Sequence, residues 1–271
     1  MPTYEIFLLW VLIGAATGSV TALIKTSPTL IAIPCLYFFF PVFDLSFEGL
    51  MLPIVATCII AFIPANLYAW LSSMRSGAVD HQTLMKYAPG IAMGGVIGAQ
   101  LLSLIDITTF KFLFSCMAVI AILSSVFFIK YENESEDKNI TTESTMTNLP
   151  LGLAIGGMSL ITGSNGEVFS RILCQFKKIA LSRQQGTVEG LVLFSSIAAL
   201  VGFVYPAQSF DHYNLSGFVG ALHIPSVTIL AISHLFFFWL CLDRGTELDK
   251  RVLKISFVVF VVCSLFRLWF S

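Results

Sequence analysis

Charge is what this chain has least of. Asp, Glu, Lys and Arg together make up 11% of its 271 residues, where a soluble domain carries about 25%. A soluble fold of that length needs more polar surface than the sequence supplies. Basic residues are not in excess: 15 Lys and Arg stand against 16 Asp and Glu, a net charge of −1. That balance excludes the basic footprint of a nucleic-acid-binding protein. No His-Glu-x-x-His, no phosphate-binding glycine loop and no Ser/His/Asp grouping occurs, which argues against a membrane enzyme. Paired cysteines are missing too. The six Cys (35, 58, 116, 174, 241 and 263) lie singly inside apolar stretches. They read as small packing residues, not as a disulfide frame or a zinc site, and no metal or cofactor is implied. No basic segment precedes the first apolar run and no small-residue cleavage site follows it, so no cleaved signal peptide is expected.

Apolar length is what the chain has in abundance. Hydrophobic residues make up 56%, Phe alone numbers 25, and the mean hydropathy is +0.87. A spanning helix needs roughly 20 apolar residues to cross about 30 Å of hydrocarbon. Such runs cover 49–71, 84–105, 110–129, 187–206, 216–242 and 252–270. Two further blocks, 6–43 and 149–176, are apolar but interrupted by Lys25-Thr26-Ser27-Pro28 and by Thr162-Gly163-Ser164-Asn165-Gly166-Glu167. The expectation is an all-α, polytopic membrane protein whose immediate partner is the lipid bilayer. An assembly of identical chains stays open.

Tyr131 to Asn148 differs from everything around it. It holds Glu132, Glu134, Glu136, Asp137 and Glu143 among Ser, Thr and Asn, with nothing to form a buried face, and reads as a flexible linker. It divides the chain into a first repeat at 1–130 and a second at 149–271. Sliding one half over the other by 138 residues places Gly14 on Gly152, Gly18 on Gly156 and Thr21 on Ser159, and brings the two polar breaks together. Each half then reads as a broken-helix hairpin followed by three transmembrane helices, an order expected of an internal duplication.

Lys and Arg favour the cytoplasmic side. If each broken block enters and leaves on one side, the inside segments carry Arg75, Lys86, Lys130, Lys138, Lys177, Lys178, Arg183, Arg244, Lys250, Arg251 and Lys254, and only Lys111 and Arg267 remain outside. A single crossing per block puts seven of those outside. The hairpin arrangement fits, with the N-terminus outside and the linker cytoplasmic. Its odd parity inserts the second half upside down, so the architecture expected is two inverted repeats.

Four charged residues fall at membrane depth: Lys25, Glu167, Arg171 and Glu189. Ionisable groups there are functional candidates by default. The plainer reading is mutual neutralisation, since Glu167 precedes Arg171 by four residues, the favourable order for a helical pair. Glu189, near a span end, can equally face water. Thr26-Ser27-Pro28 is a helix-start signature. A helix start inside the membrane offers unpaired N–H groups and a positive dipole end, suited to an anion, and Lys25 adds a full charge. Ser164, Asn165 and Gly166 offer the same in the second half. The expected binding residues are therefore Lys25, Thr26, Ser27, Ser164, Asn165, Gly166 and Arg171, with Glu167 and Glu189 as coupling candidates. The competing reading is polar caps of two tight turns. Glycines at four-residue spacing (Gly90/Gly94/Gly98, Gly186/Gly190) serve close helix packing, and His223 and His234 read as core or interfacial histidines.

The pattern resembles the sulfite exporter TauE/SafE family of bacterial membrane transporters over nearly the whole chain. The likeness rests on Gly14-x3-Gly18 leading into a broken block that ends near Pro34, and on Ser76-Gly77-Ala78-Val79-Asp80 after the next span. It continues through Ala88-Pro89-Gly90, Gly94-Gly95-x2-Gly98 and the recurrence at Gly152 and Gly156. The family's breaks usually carry Gly-rich loops; here the second is partly Gly-rich and the first is not. The resemblance implies transport of a small sulfur-containing or organic anion across the bacterial inner membrane, driven by an ion gradient. The alternative from another class is a non-transporting membrane partner or sensor subunit that keeps the fold.

Overall fold

A computed structural model describes residues 4–39, 47–131, 148–208, 217–242 and 250–270. The acidic segment expected at 131–148 lies outside them except for its two end residues. The chain is an all-α polytopic membrane protein. Helices α1 (Tyr4–Ile24) and α2 (Thr29–Phe39) flank the first break, and α3 (Phe47–Ala61), α4 (Ile63–Arg75), α5 (His81–Leu102) and α6 (Ile107–Tyr131) complete the first half. Helices α7 (Leu149–Ile161) and α8 (Glu167–Phe176) flank the second break, followed by α9 (Leu181–Val204), α10 (Ile224–Leu242) and α11 (Lys250–Phe270). Six helices or helix pairs among the described residues are long and apolar enough to cross a membrane: α1, α3 with α4, α6, α9, α10 and α11. Helix α7 has 13 residues and α8 has 10; at about 1.5 Å per residue neither crosses alone.

Each break ends its first helix in the same way. Lys25 donates the last helical bond to the Thr21 carbonyl at 3.0 Å and then turns to φ +57°. Gly163, 138 residues on, takes φ +71°. A residue in the left-handed region cannot continue a helix. For glycine that conformation is free of steric cost, for lysine it is not. Pro28 lacks an N–H and so starts α2 without leaving a donor stranded, with Ala32 N–H bonded to the Pro28 carbonyl at 3.0 Å.

Apolar residues occupy every side of most helices, so association depends on close packing more than on an apolar stripe. Helix α1 packs along α10, and α7 along α5. Glycine makes both contacts. A Cβ on Gly90 would lie 2.7 Å from the Leu149 carbonyl oxygen, and one on Gly14 would lie 2.6 Å from Ser233 Cβ. Adding 138 to the ranges of α1, α2, α5 and α6 brings them onto those of α7, α8, α10 and α11. Paired helices α3 and α4 and the long α9 are the most enclosed, whereas α6, α10 and α11 keep broad apolar faces outward. In water such faces would aggregate; in a bilayer they meet acyl chains.

The expected span 84–105 falls in α5, which is not among those six; two other differences from the expected spans have local causes. The span expected from 216 begins as a helix only at Ile224, because Gly217 (φ +97°) and Gly220 (φ +58°) fold 218–223 into a two-stranded ribbon, β1 (Phe218–Val219) and β2 (Leu222–His223). The start of α6 is fixed by Asp106, whose carboxylate accepts bonds from Thr109 N–H at 3.2 Å and Thr109 Oγ1 at 2.6 Å. Those bonds hold the Asp106 carboxyl below the usual range. All six cysteines are free thiols.

Candidate functional site

The two breaks meet. Ser27 Oγ donates to Asn165 Oδ1 at 2.8 Å, across 138 residues of sequence. A hydroxyl has one proton, so the Thr29 hydroxyl, 2.9 Å away, is the donor to Ser27. Asn165 Oδ1 also accepts from Glu167 N–H at 3.4 Å, and Ser164 Oγ accepts from Gly166 N–H at 3.3 Å. The first donors of α8 are thus taken by the turn's own side chains. Ser27, Ser164 and Asn165 are buried.

Arg171 joins the same two breaks through charge. Its Nη2 lies 2.7 Å from Glu167 Oε1 and 2.7 Å from the Lys25 carbonyl oxygen, with Gln185 Oε1 at 3.4 Å. Glu167 and Arg171 are one turn apart on α8, so the helix sets the pair. Beyond them Glu189 accepts from Ser73 Oγ at 2.8 Å and from Gln185 Nε2 at 3.0 Å. Neither carboxylate is held by Lys25.

A cavity of about 230 Å³ opens beside this network, between the first break and α4, α9 and α10. Its volume lies below the range of about 300–1,000 Å³ for drug-sized ligands and suits a small ion. Thr21 near the end of α1 and Lys25 four residues on, in the break, form one wall; Asn66, Ser72 and Ser73 of α4 form another. Gln185 and Glu189 of α9 face them, with Glu167 beside the break. Two of these residues have buried polar atoms with no hydrogen-bond partner among the described residues: Thr21 Oγ1 and Asn66 Nδ2. An unmade buried bond costs about 1–3 kcal/mol. Both residues border the cavity, one on each of those two walls.

The family model for the sulfite exporter TauE/SafE family matches residues 10–268. The chain belongs to the TauE/SafE family. Comparison with curated proteins finds no match, and neither does comparison with solved structures. As a TauE/SafE protein the chain is a multi-pass membrane transporter, not an enzyme.

The expected site residues of this TauE/SafE chain fall into two groups. Lys25, Glu167 and Glu189 line the cavity. Ser27, Ser164, Asn165 and Gly166 instead form the junction of the breaks, and Arg171 is its clamp. Thr26 has a buried Oγ1 with no hydrogen-bond partner among the described residues and does not line the cavity. The sequence reading passed over Thr21, Asn66, Ser72, Ser73 and Gln185. Four-residue spacing was the available signal: Thr21 stands one turn before Lys25, and Gln185 one turn before Glu189.

Proposed function

We propose that this transporter carries a small anion, sulfite or a sulfonate, across a bacterial cytoplasmic membrane, coupled to an ion gradient. The observation that carries this reading is the cavity bordered by Thr21, Lys25 and Asn66. It brings a full positive charge together with an amide and a hydroxyl that have no hydrogen-bond partner among the described residues. An anion is the ligand that such a lining favours. Glu167 does not oppose it, because Arg171 neutralises that carboxylate. Glu189 has two hydrogen bonds and no ion pair among the described residues, which leaves it the freer of the two acidic coupling candidates.

The architecture proposed with this function is two inverted repeats, 1–130 and 149–271, joined by the cytoplasmic linker 131–148, with the N-terminus outside. The 138-residue recurrence of element order and the Ser27–Asn165 contact at that interval support it. In this orientation the cavity, beside Ser73 near the end of α4 and Gln185 near the start of α9, opens to the cytoplasm. At the second break, Phe110 and Ile33 pack against Gly163.

A thermal-shift panel on the purified protein tests the binding reading. Sulfite, small sulfonates, carboxylates and organic cations would be compared at matched ionic strength. An anion at a hundred times its Kd stabilises by about 2.7 kcal/mol. Stabilisation by a sulfur oxyanion is the expected result. Stabilisation by none of the anions would favour a non-transporting partner or sensor subunit.

A further inference from the structure

The cavity beside the two breaks is bordered by uncancelled charge of both signs. Lys25 borders it from the first break and Glu189 from α9, and the two form no ion pair with one another. Glu167, also on the cavity, is taken by Arg171 at 2.7 Å. Ser73 Oγ donates to Glu189 Oε2 at 2.8 Å, and Gln185 Nε2 donates to Oε1 at 3.0 Å. An ionised carboxylate offers about four acceptor sites, so these two donors leave part of its capacity unused. Both donors are neutral groups. They orient the carboxylate without cancelling its charge.

Much of the remaining lining is hydrocarbon. Val188 and Val192 of α9 and Phe238 and Leu242 of α10 border the same space. An inorganic oxyanion has no apolar surface to set against them, whereas a short alkyl chain does. A simple anion also meets only half of the charge. It pairs with the Lys25 ammonium but places a second negative charge beside Glu189 in a space of about 230 Å³, and like charges at close quarters oppose binding. An ionisable group at membrane depth is costly until it is paired. A ligand with an acid group at one end and an ammonium at the other pairs both residues at once.

We propose that the cavity takes a short aminoalkanesulfonate, a zwitterion whose sulfonate faces Lys25 and whose ammonium faces Glu189. Its methylenes lie along the two valines and Phe238. Ser73 and Gln185 act through Glu189 as positioning residues. The inference rests on the sulfonate reading above and narrows it to sulfonates that carry an amine.

The test is isothermal titration of the purified full-length protein at about pH 7, where a primary alkylammonium is fully charged. The ligands are terminal aminopropanesulfonate, its hydroxy analogue and plain propanesulfonate. The hydroxyl fills the place of the amine without its charge. The expected result is that wild-type protein binds the amino compound about tenfold or more tightly than either of the others, the advantage of a hydrogen bond between charged groups. Glu189→Gln keeps the shape of the side chain and removes its charge, and it should bind the three compounds alike. Equal wild-type affinity for the amino and hydroxy compounds overturns the inference while the sulfonate reading stands, and so does an amino preference that survives in Glu189→Gln. Binding of none of the three overturns both. Should Glu189→Gln fail to fold, the wild-type comparison of the amino with the hydroxy compound decides, because the two differ in charge and hardly in size.

Discussion

Replacing Lys25 by glycine separates what the fold needs at this position from what the ligand needs. Lys25 holds φ +57°, a left-handed conformation that costs an L-residue about 1–2 kcal/mol. Glycine adopts it freely but loses about 0.5–1 kcal/mol more in chain entropy on folding. The two terms leave Lys25→Gly between neutral and about 1.5 kcal/mol more stable. The Lys25 carbonyl that holds Arg171 is backbone and survives the change. The ammonium does not. A hydrogen bond to a charged group contributes about 1.5–3 kcal/mol, so anion affinity should fall about 10- to 150-fold. Thermal unfolding without ligand and isothermal titration with the anion read the two quantities on one preparation. The expected outcome is an equal or higher melting temperature with binding at least tenfold weaker. Lys25→Arg should retain part of the affinity, since its planar cation is bulkier than an ammonium. Unchanged affinity in a well-folded Lys25→Gly would refute the charge role. A loss of unliganded stability beyond about 1 kcal/mol would refute the strain argument.

Arg171→Ala leaves Glu167 buried without its cation, a change that costs about 3–5 kcal/mol; adding Glu167→Gln should recover part of it, and denaturant unfolding of the single and double variants measures the difference. For the orientation, single cysteines at positions 137 and 178 in a Cys-free background should both resist a membrane-impermeant reagent added from the periplasmic side. Labelling at 178 with 137 protected would defeat the inverted arrangement.

Both breaks were legible because their chemistry is local. Thr26-Ser27-Pro28 marks a helix start, and Gly163 and Gly166 mark a turn, whatever surrounds them. The roles of Ser27 and Asn165 were not. A polar turn at membrane depth presents the same residues whether it faces a ligand or another turn, and here the two turns satisfy each other. The Glu167–Arg171 pair was readable as an i, i+4 pair, while its grip on the Lys25 carbonyl depends on how the halves dock. Asn66 and Gln185 escaped for a similar reason. Each is an ordinary polar residue in a long span, and only the packing of α4 against α9 brings both to one cavity. Lys25 was singled out for its charge, but its conformation needed the second half for comparison. The 138-residue shift sets it on Gly163, and a glycine's backbone geometry is what it adopts.

Counterflow in proteoliposomes tests the central claim most directly. Vesicles holding purified protein would be loaded with unlabelled sulfite or a sulfonate and diluted into a trace of the labelled anion. The account predicts transient accumulation of label in wild-type vesicles and its loss, at the same reconstituted protein level, with Lys25→Gly. Absence of counterflow with every small anion tried, from protein that is folded and membrane-inserted, would contradict it.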